Sequence, residues 1–135
     1  MTPGAFLDTG IFVAFMNGRD RWHLNAVSLF NGAKPRWSTS ILVLSEAYSW
    51  FLHRMGEEPA RSFRMLIDNM PGLKIFEATV DHHRQVSGML ERLRGSKLTY
   101  VDASSLALME QHRIRQVWAT DRHLGLTGAE VFPRV

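Results

Sequence analysis

The sequence predicts an α/β fold: a three-layer α/β/α sandwich around a mostly parallel sheet of about five strands. Two observations carry that prediction. Short apolar or alternating runs, bounded by turn residues, are separated by longer stretches with helical spacing, and strands that alternate with helices pair in parallel. Asp8, Asp102 and Asp121 each follow an apolar run. That places them at the carboxyl edge of such a sheet, where open α/β proteins bind ligands. The chain has 135 residues and reads as a single domain spanning 1–135. A chain of that length can bury roughly two-thirds of its unfolded surface.

The elements follow in order. Residues 5–7 read as a short buried strand, and residues 11–16 as a turn or two of helix ended by Asn17-Gly18. Trp22, Ala26, Leu29 and Phe30 repeat at helical spacing up to the stop at Asn31-Gly32. Residues 36–38 form a short strand, after which Thr39 or Ser40 can cap a helix that reaches His53-Arg54. Pro59 suits the first turn of the next helix, which stops before Pro71-Gly72. Residues 73–77 alternate like a strand. Thr79 can cap a helix through Arg92 with Val86, Met89, Leu90 and Leu93 on one face, and Gly95-Ser96 breaks it. Asp102 is expected to cap a helix through about His112. Residues 116–120 and 130–132 are the last strands.

Composition narrows the function classes. There is no cysteine, which excludes a disulfide framework, thiol catalysis and cysteine-ligated zinc, and fits a reducing cytoplasm. Lys plus Arg number 16 against 13 for Asp plus Glu, with a net charge of +3. If several carboxylates are held together by a metal, the remaining surface is more basic than that balance. This favours a polyanionic partner, although ordinary surface charge explains the excess equally well. No basic residue precedes the first apolar run, which Asp8 interrupts. No stretch approaches the roughly 18 apolar residues of a membrane span. The expectation is a soluble cytoplasmic protein without membrane contact.

Asp8, Glu46, Asp102 and Asp121 are the candidate site. Carboxylates are seldom buried unless paired or bound to metal. Each aspartate has a plain alternative as a helix cap, but all three at one sheet edge is harder to explain that way. Glu46 discriminates. It is the only carboxylate in residues 37–54, on a helix that shows almost no polar face, so it points either to a narrow wet stripe or to a polar site. Converging, the four groups would repel and take up a proton, or coordinate Mg²⁺ or Mn²⁺ through oxygen.

Phe6-Leu7-Asp8-Thr9, Ser45-Glu46, Tyr100-Val101-Asp102-Ala103 and Ala119-Thr120-Asp121-Arg122-His123-Leu124, in that order and spacing, resemble the PIN-domain ribonucleases, and among them the VapC toxins of toxin–antitoxin pairs. Asp20 and His23 also resemble the family's second helix. The resemblance covers nearly the whole chain. It implies a PIN-like sandwich and an endoribonuclease dependent on Mg²⁺ or Mn²⁺, with Asp8, Glu46, Asp102 and Asp121 as catalytic metal ligands. It implies an RNA substrate, a small antitoxin-like inhibitor and a homodimer. One departure stands out. The family often has Ser or Asn where this chain has Gly10, so support for Asp8 would fall to the hydroxyls of Thr9 and Thr120.

Rival readings are weaker. Asp8-Thr9-Gly10 spells the aspartic-protease triplet, but those folds are nearly all β. A phospho-acceptor receiver domain lacks its second early acid and its late Lys. A PIN-like scaffold without activity is the non-enzyme alternative. Arg92, Arg94 and Lys97 form a basic run that is either solvated charge or a phosphate track, and Arg122 sits beside Asp121 as a further candidate RNA contact. His82-His83 read as surface residues, since adjacent helical side chains point about 100° apart. Trp50, one turn beyond Glu46, is expected in the core, with base stacking in the acidic cleft as the alternative. Tyr48, Trp50 and Phe51 could serve as core, dimer face or inhibitor groove.

Overall fold

The computed structural model describes residues 3–134. In chain order the elements are β1 (Gly4–Leu7), α1 (Thr9–Met16), α2 (His23–Asn31), β2 (Arg36–Ser40), α3 (Ile41–Met55), α4 (Glu57–Asp68), β3 (Lys74–Phe76), α5 (Val80–Arg92), α6 (Tyr100–Gln111), β4 (Gln116–Trp118), a 3-10 turn (Arg122–Gly125) and β5 (Glu130–Phe132). The five strands lie in the order β3-β2-β1-β4-β5 and every pairing is parallel. The strand order reverses beside β1, so the crevice at its carboxyl end is a topological switch point.

Side-chain alternation assigns the layers. Phe6, Ser38, Lys74 and Val117 are in register and share one face, whereas Leu7, Trp37 and Trp118 share the other. Phe30 of α2 packs against Trp37 and Trp118 with centroids 6.0 and 5.1 Å apart, and Phe15 of α1 lies 4.6 Å from Phe30. Phe63 of α4 joins this layer through Phe12 and stacks on Phe51 of α3. α5 and α6 cover the opposite face. They run side by side in the same direction: His82 meets Ser104 near their starts and Arg92 meets Glu110 near their ends. Residues 103–109 of α6 are all buried, the pattern of a helix enclosed on every side.

Two local expectations are corrected. Residues 98–101 do not form a strand before Asp102. Thr99 caps α6 instead, its hydroxyl accepting from the Asp102 backbone N–H at 3.1 Å while Asp102 Oδ2 accepts from the Thr99 N–H at 3.4 Å. Asp102 is therefore the third residue of the helix rather than its cap, because the reciprocal capping box uses both residues. β4 ends at Trp118 rather than residue 120, and Thr120 and Asp121 fall in the connection to the 3-10 turn. Ser40 caps α3 through Val43 N–H and Thr79 caps α5 through His82 N–H, as their sequence positions predict.

Candidate metal centre

Asp8 is placed by the end of β1. Its backbone N–H donates to Trp118 O at 3.0 Å, continuing the sheet one residue past the strand. It then occupies the position before α1, yet its side chain makes no capping bond. The plain capping explanation is not realised here. The residue is 5% exposed, and its Oδ1 is buried with no hydrogen-bond partner among the described residues. Burial raises its pKa from 3.8 to about 7, and the charges of Asp102, Glu46 and Asp121 push the same way against a lowering bond from the Thr9 N–H. A desolvated carboxylate with one oxygen unpartnered and three further acids nearby is costly unless a proton or a cation occupies the gap.

The other three acids arrive from separate elements. Asp102 comes from the first turn of α6. Asp121 caps the 3-10 turn, accepting from His123 N–H at 2.9 Å. Glu46 comes from the exposed side of α3 and accepts from the Thr9 hydroxyl at 2.5 Å. The narrow wet stripe and the polar site are thus one place. Oxygens of Asp102 and Asp121 and a ring nitrogen of His123 all lie within 4.8 Å of one another. His123 Nδ1 is 3.2 Å from Asp121 Oδ1. The sequence places His123 beside Asp121 without a ligand role; its two-residue spacing across a tight turn is the signal that brings it inward. This donor set, mostly hard oxygen, fits a divalent cation.

Gly10 has a specific neighbour. A Cβ at that position would overlap Thr120 Oγ1 and lie 3.3 Å from Thr120 Cβ. The missing side chain thus makes room for the Thr120 hydroxyl, and the Thr9 hydroxyl supports Glu46.

The candidate RNA contacts divide. Arg92 forms a two-pronged ion pair with Glu110 at 2.9 and 2.8 Å. Glu110 is eight residues beyond Asp102, or about 12 Å along α6. Arg94 is exposed and pairs with Glu91 at 3.2 Å. Lys97 is exposed in the loop that returns to the start of α6, with φ 55°. Arg122 lies 5.7 Å from the Trp22 ring centroid and donates to Val131 O and Pro133 O, which ties β5 to the turn. His82 is a correction. It is 6% exposed and its Nε2 is 2.6 Å from Ser104 Oγ, because α5 lies directly on α6 there. His83 is exposed and stacks on Tyr100. Phe51 is in the core, while Trp50 borders a surface hollow with Asn17, Arg19 and Arg54 that contains none of the four acids.

Acidic oxygen donors gathered at the switch point of a doubly wound parallel sheet define an α/β protein built around a candidate divalent-metal site. The PIN domain family model matches residues 5–129, and the chain belongs to that family. It is 29% identical over 129 residues to the 23S rRNA-specific endonuclease VapC20 of Mycobacterium tuberculosis, covering 95% of this chain and 98% of the relative. The crystal structure of VapC20, described as a sarcin-ricin loop cleaving toxin, superposes with a TM-score of 0.86 at 27% identity, over 93% of this chain and 96% of that one. A toxin–antitoxin complex from Klebsiella pneumoniae shares the fold at TM-score 0.69 and 18% identity, over 94% of both chains. FitAcB from Neisseria gonorrhoeae shares it at 0.66 and 13%, over 95% and 96%. The all-β protease reading is excluded by the parallel sheet.

Proposed function

We propose that this protein is a metal-dependent endoribonuclease and the toxin component of a type II toxin–antitoxin pair, acting as a single domain. The observation that carries the reading is the buried Asp8 carboxylate, its Oδ1 unpartnered, within the field of Asp102, Glu46 and Asp121. These four residues would hold Mg²⁺ or Mn²⁺. Bound there, a divalent cation supplies a Lewis acid that activates water for in-line attack at phosphorus and offsets charge on the leaving oxygen. Asp8 contributes a carboxylate whose Oδ1 has no competing hydrogen bond. Thr9 holds Glu46 in one orientation, and the Thr99 N–H does the same for Asp102. The products would be a 5′-phosphate and a 3′-hydroxyl.

Lys97, Arg94 and Arg122 are the cations best placed to guide RNA to this edge, and Arg92 is the least available because Glu110 holds it. The likeness to VapC20 makes a ribosomal RNA loop the first substrate to try. An antitoxin-like inhibitor, a homodimer and a cytoplasmic location complete the proposal. Among the described residues no helix is long and apolar enough to cross a membrane. The test is cleavage of structured RNA in Mg²⁺ or Mn²⁺. Activity should stop with EDTA and be lost in Asp8→Asn and Asp102→Asn. Full activity in excess chelator, or wild-type rates in both variants, would overturn the reading. Silence of the wild type on every RNA, with metal bound, would leave a PIN-like binding module.

A further inference from the structure

We propose that a basic concavity on the sheet, remote from the acidic site, binds backbone phosphates of the RNA away from the scissile bond. The proposal rests on the ribonuclease reading for the identity of its ligand. The hollow has a volume of about 400 Å³ and lies on the α6 face of the sheet near the amino ends of β1 and β2. Arg36 enters from β2, Lys74 from β3, and His112 and Arg113 from the end of α6; no carboxylate is among the residues that line it. Among the described residues, neither Lys74 nor Arg113 forms an ion pair.

Phe76 organises the floor. The His112 ring stacks on it at 4.3 Å and 24°, and Lys74 Nζ lies 5.4 Å from its centroid. Arg113 has φ 54°, a conformation that glycine adopts with far less strain. The helix dipole alone would favour cations at the end of α6. It does not account for Lys74 and Arg36, which come from two strands to the same hollow. Cations converging on a concave surface that no carboxylate lines have a phosphate chain as their complement.

His112 is ten residues beyond Asp102, which puts the two sites about 15 Å apart along α6. A nucleotide strand spacing its charges by about 3.4 Å needs roughly five nucleotides to cover that distance. A fragment of roughly three nucleotides can occupy only one of the two sites at a time, so the concavity should contribute most to the binding of long or structured RNA that reaches both.

The experiment measures RNA binding by fluorescence anisotropy in an Asp121→Asn background, with a labelled stem-loop and a labelled trinucleotide, across a salt series. Lys74→Ala with Arg113→Ala should weaken stem-loop binding about tenfold. It should also flatten the salt dependence by about 1.4 in log–log slope, or 0.7 for each lost contact. Trinucleotide binding, which cannot engage both sites at once, should change much less. Lys74→Arg with Arg113→Lys should restore the slope, and circular dichroism with a thermal melt should show both double variants folded. An unchanged slope, or equal losses on both RNAs, would overturn the proposal. The binding arm is independent of cleavage. If the wild type cleaves no RNA, a slope that depends on Lys74 and Arg113 still supports this surface, while the nuclease reading fails separately.

Discussion

Asp8→Asn is expected to stabilise the metal-free protein at pH 8 while ending cleavage. In the folded chain burial, aided by the charges of Asp102, Glu46 and Asp121, pushes the Asp8 carboxyl from 3.8 to about 7. In the unfolded chain it returns to its ordinary value. Below about pH 4 both states hold the proton and the group has no effect on stability. As pH rises from about 4 to 7 the unfolded chain ionises first. The folded state then binds more protons than the unfolded one, and stability falls. Above about pH 7 the loss is complete. The gap between 3.8 and about 7, at about 1.36 kcal/mol per pH unit, corresponds to about 4 kcal/mol. Asparagine removes the charge but leaves a buried amide to satisfy, so the net gain should be roughly 2 kcal/mol. Urea denaturation in EDTA at pH 5, 6, 7 and 8 would measure it. The wild type should weaken across this series and Asp8→Asn should stay nearly level. Mg²⁺ or Mn²⁺ at pH 8 should raise wild-type stability more than that of the variant. A metal-free wild type as level with pH as Asp8→Asn would refute the argument.

Three further outcomes are expected. Gly10→Ala drives a Cβ into Thr120 Oγ1; it should cost about 1–3 kcal/mol by thermal or urea denaturation, and Thr120→Ala in the same chain should recover much of that loss in a double-mutant cycle. Thr9→Val removes the 2.5 Å bond to Glu46 and should weaken metal binding about tenfold by calorimetry; unchanged affinity would show that Glu46 is held by other means. His123→Ala should weaken Mn²⁺ binding more than Mg²⁺ binding, since Mg²⁺ prefers oxygen ligands. Equal losses for the two ions would place His123 outside the coordination sphere.

Much of the fold is legible in local sequence, because turn residues, caps and periodicity act over a few residues. Ser40 and Thr79 cap α3 and α5 where their positions indicate, and the alternation of strands and helices already implies a parallel sheet. The four acids are legible for a related reason. Charge inside apolar sequence is costly, so its presence marks a place where something offsets it. The start of α6 is harder to place, because Thr99 and Asp102 both suit a helix N-terminus and only their mutual hydrogen bonds assign the roles.

Tertiary structure decided the rest. His82 and His83 are neighbours in sequence, but only α6 packing against α5 buries one and leaves the other exposed. Arg92 reads as a free cation until Glu110, 18 residues on, is seen beside it. Gly10 reads as a loss of support until Thr120 is found in the space it leaves. Arg36, Lys74 and Arg113 are scattered along the chain and converge on one hollow. Capping and periodicity are local and can be followed along the chain. Burial, ion pairing and convergence depend on which distant segments the sheet order brings together, and that order becomes visible only when the strands have paired.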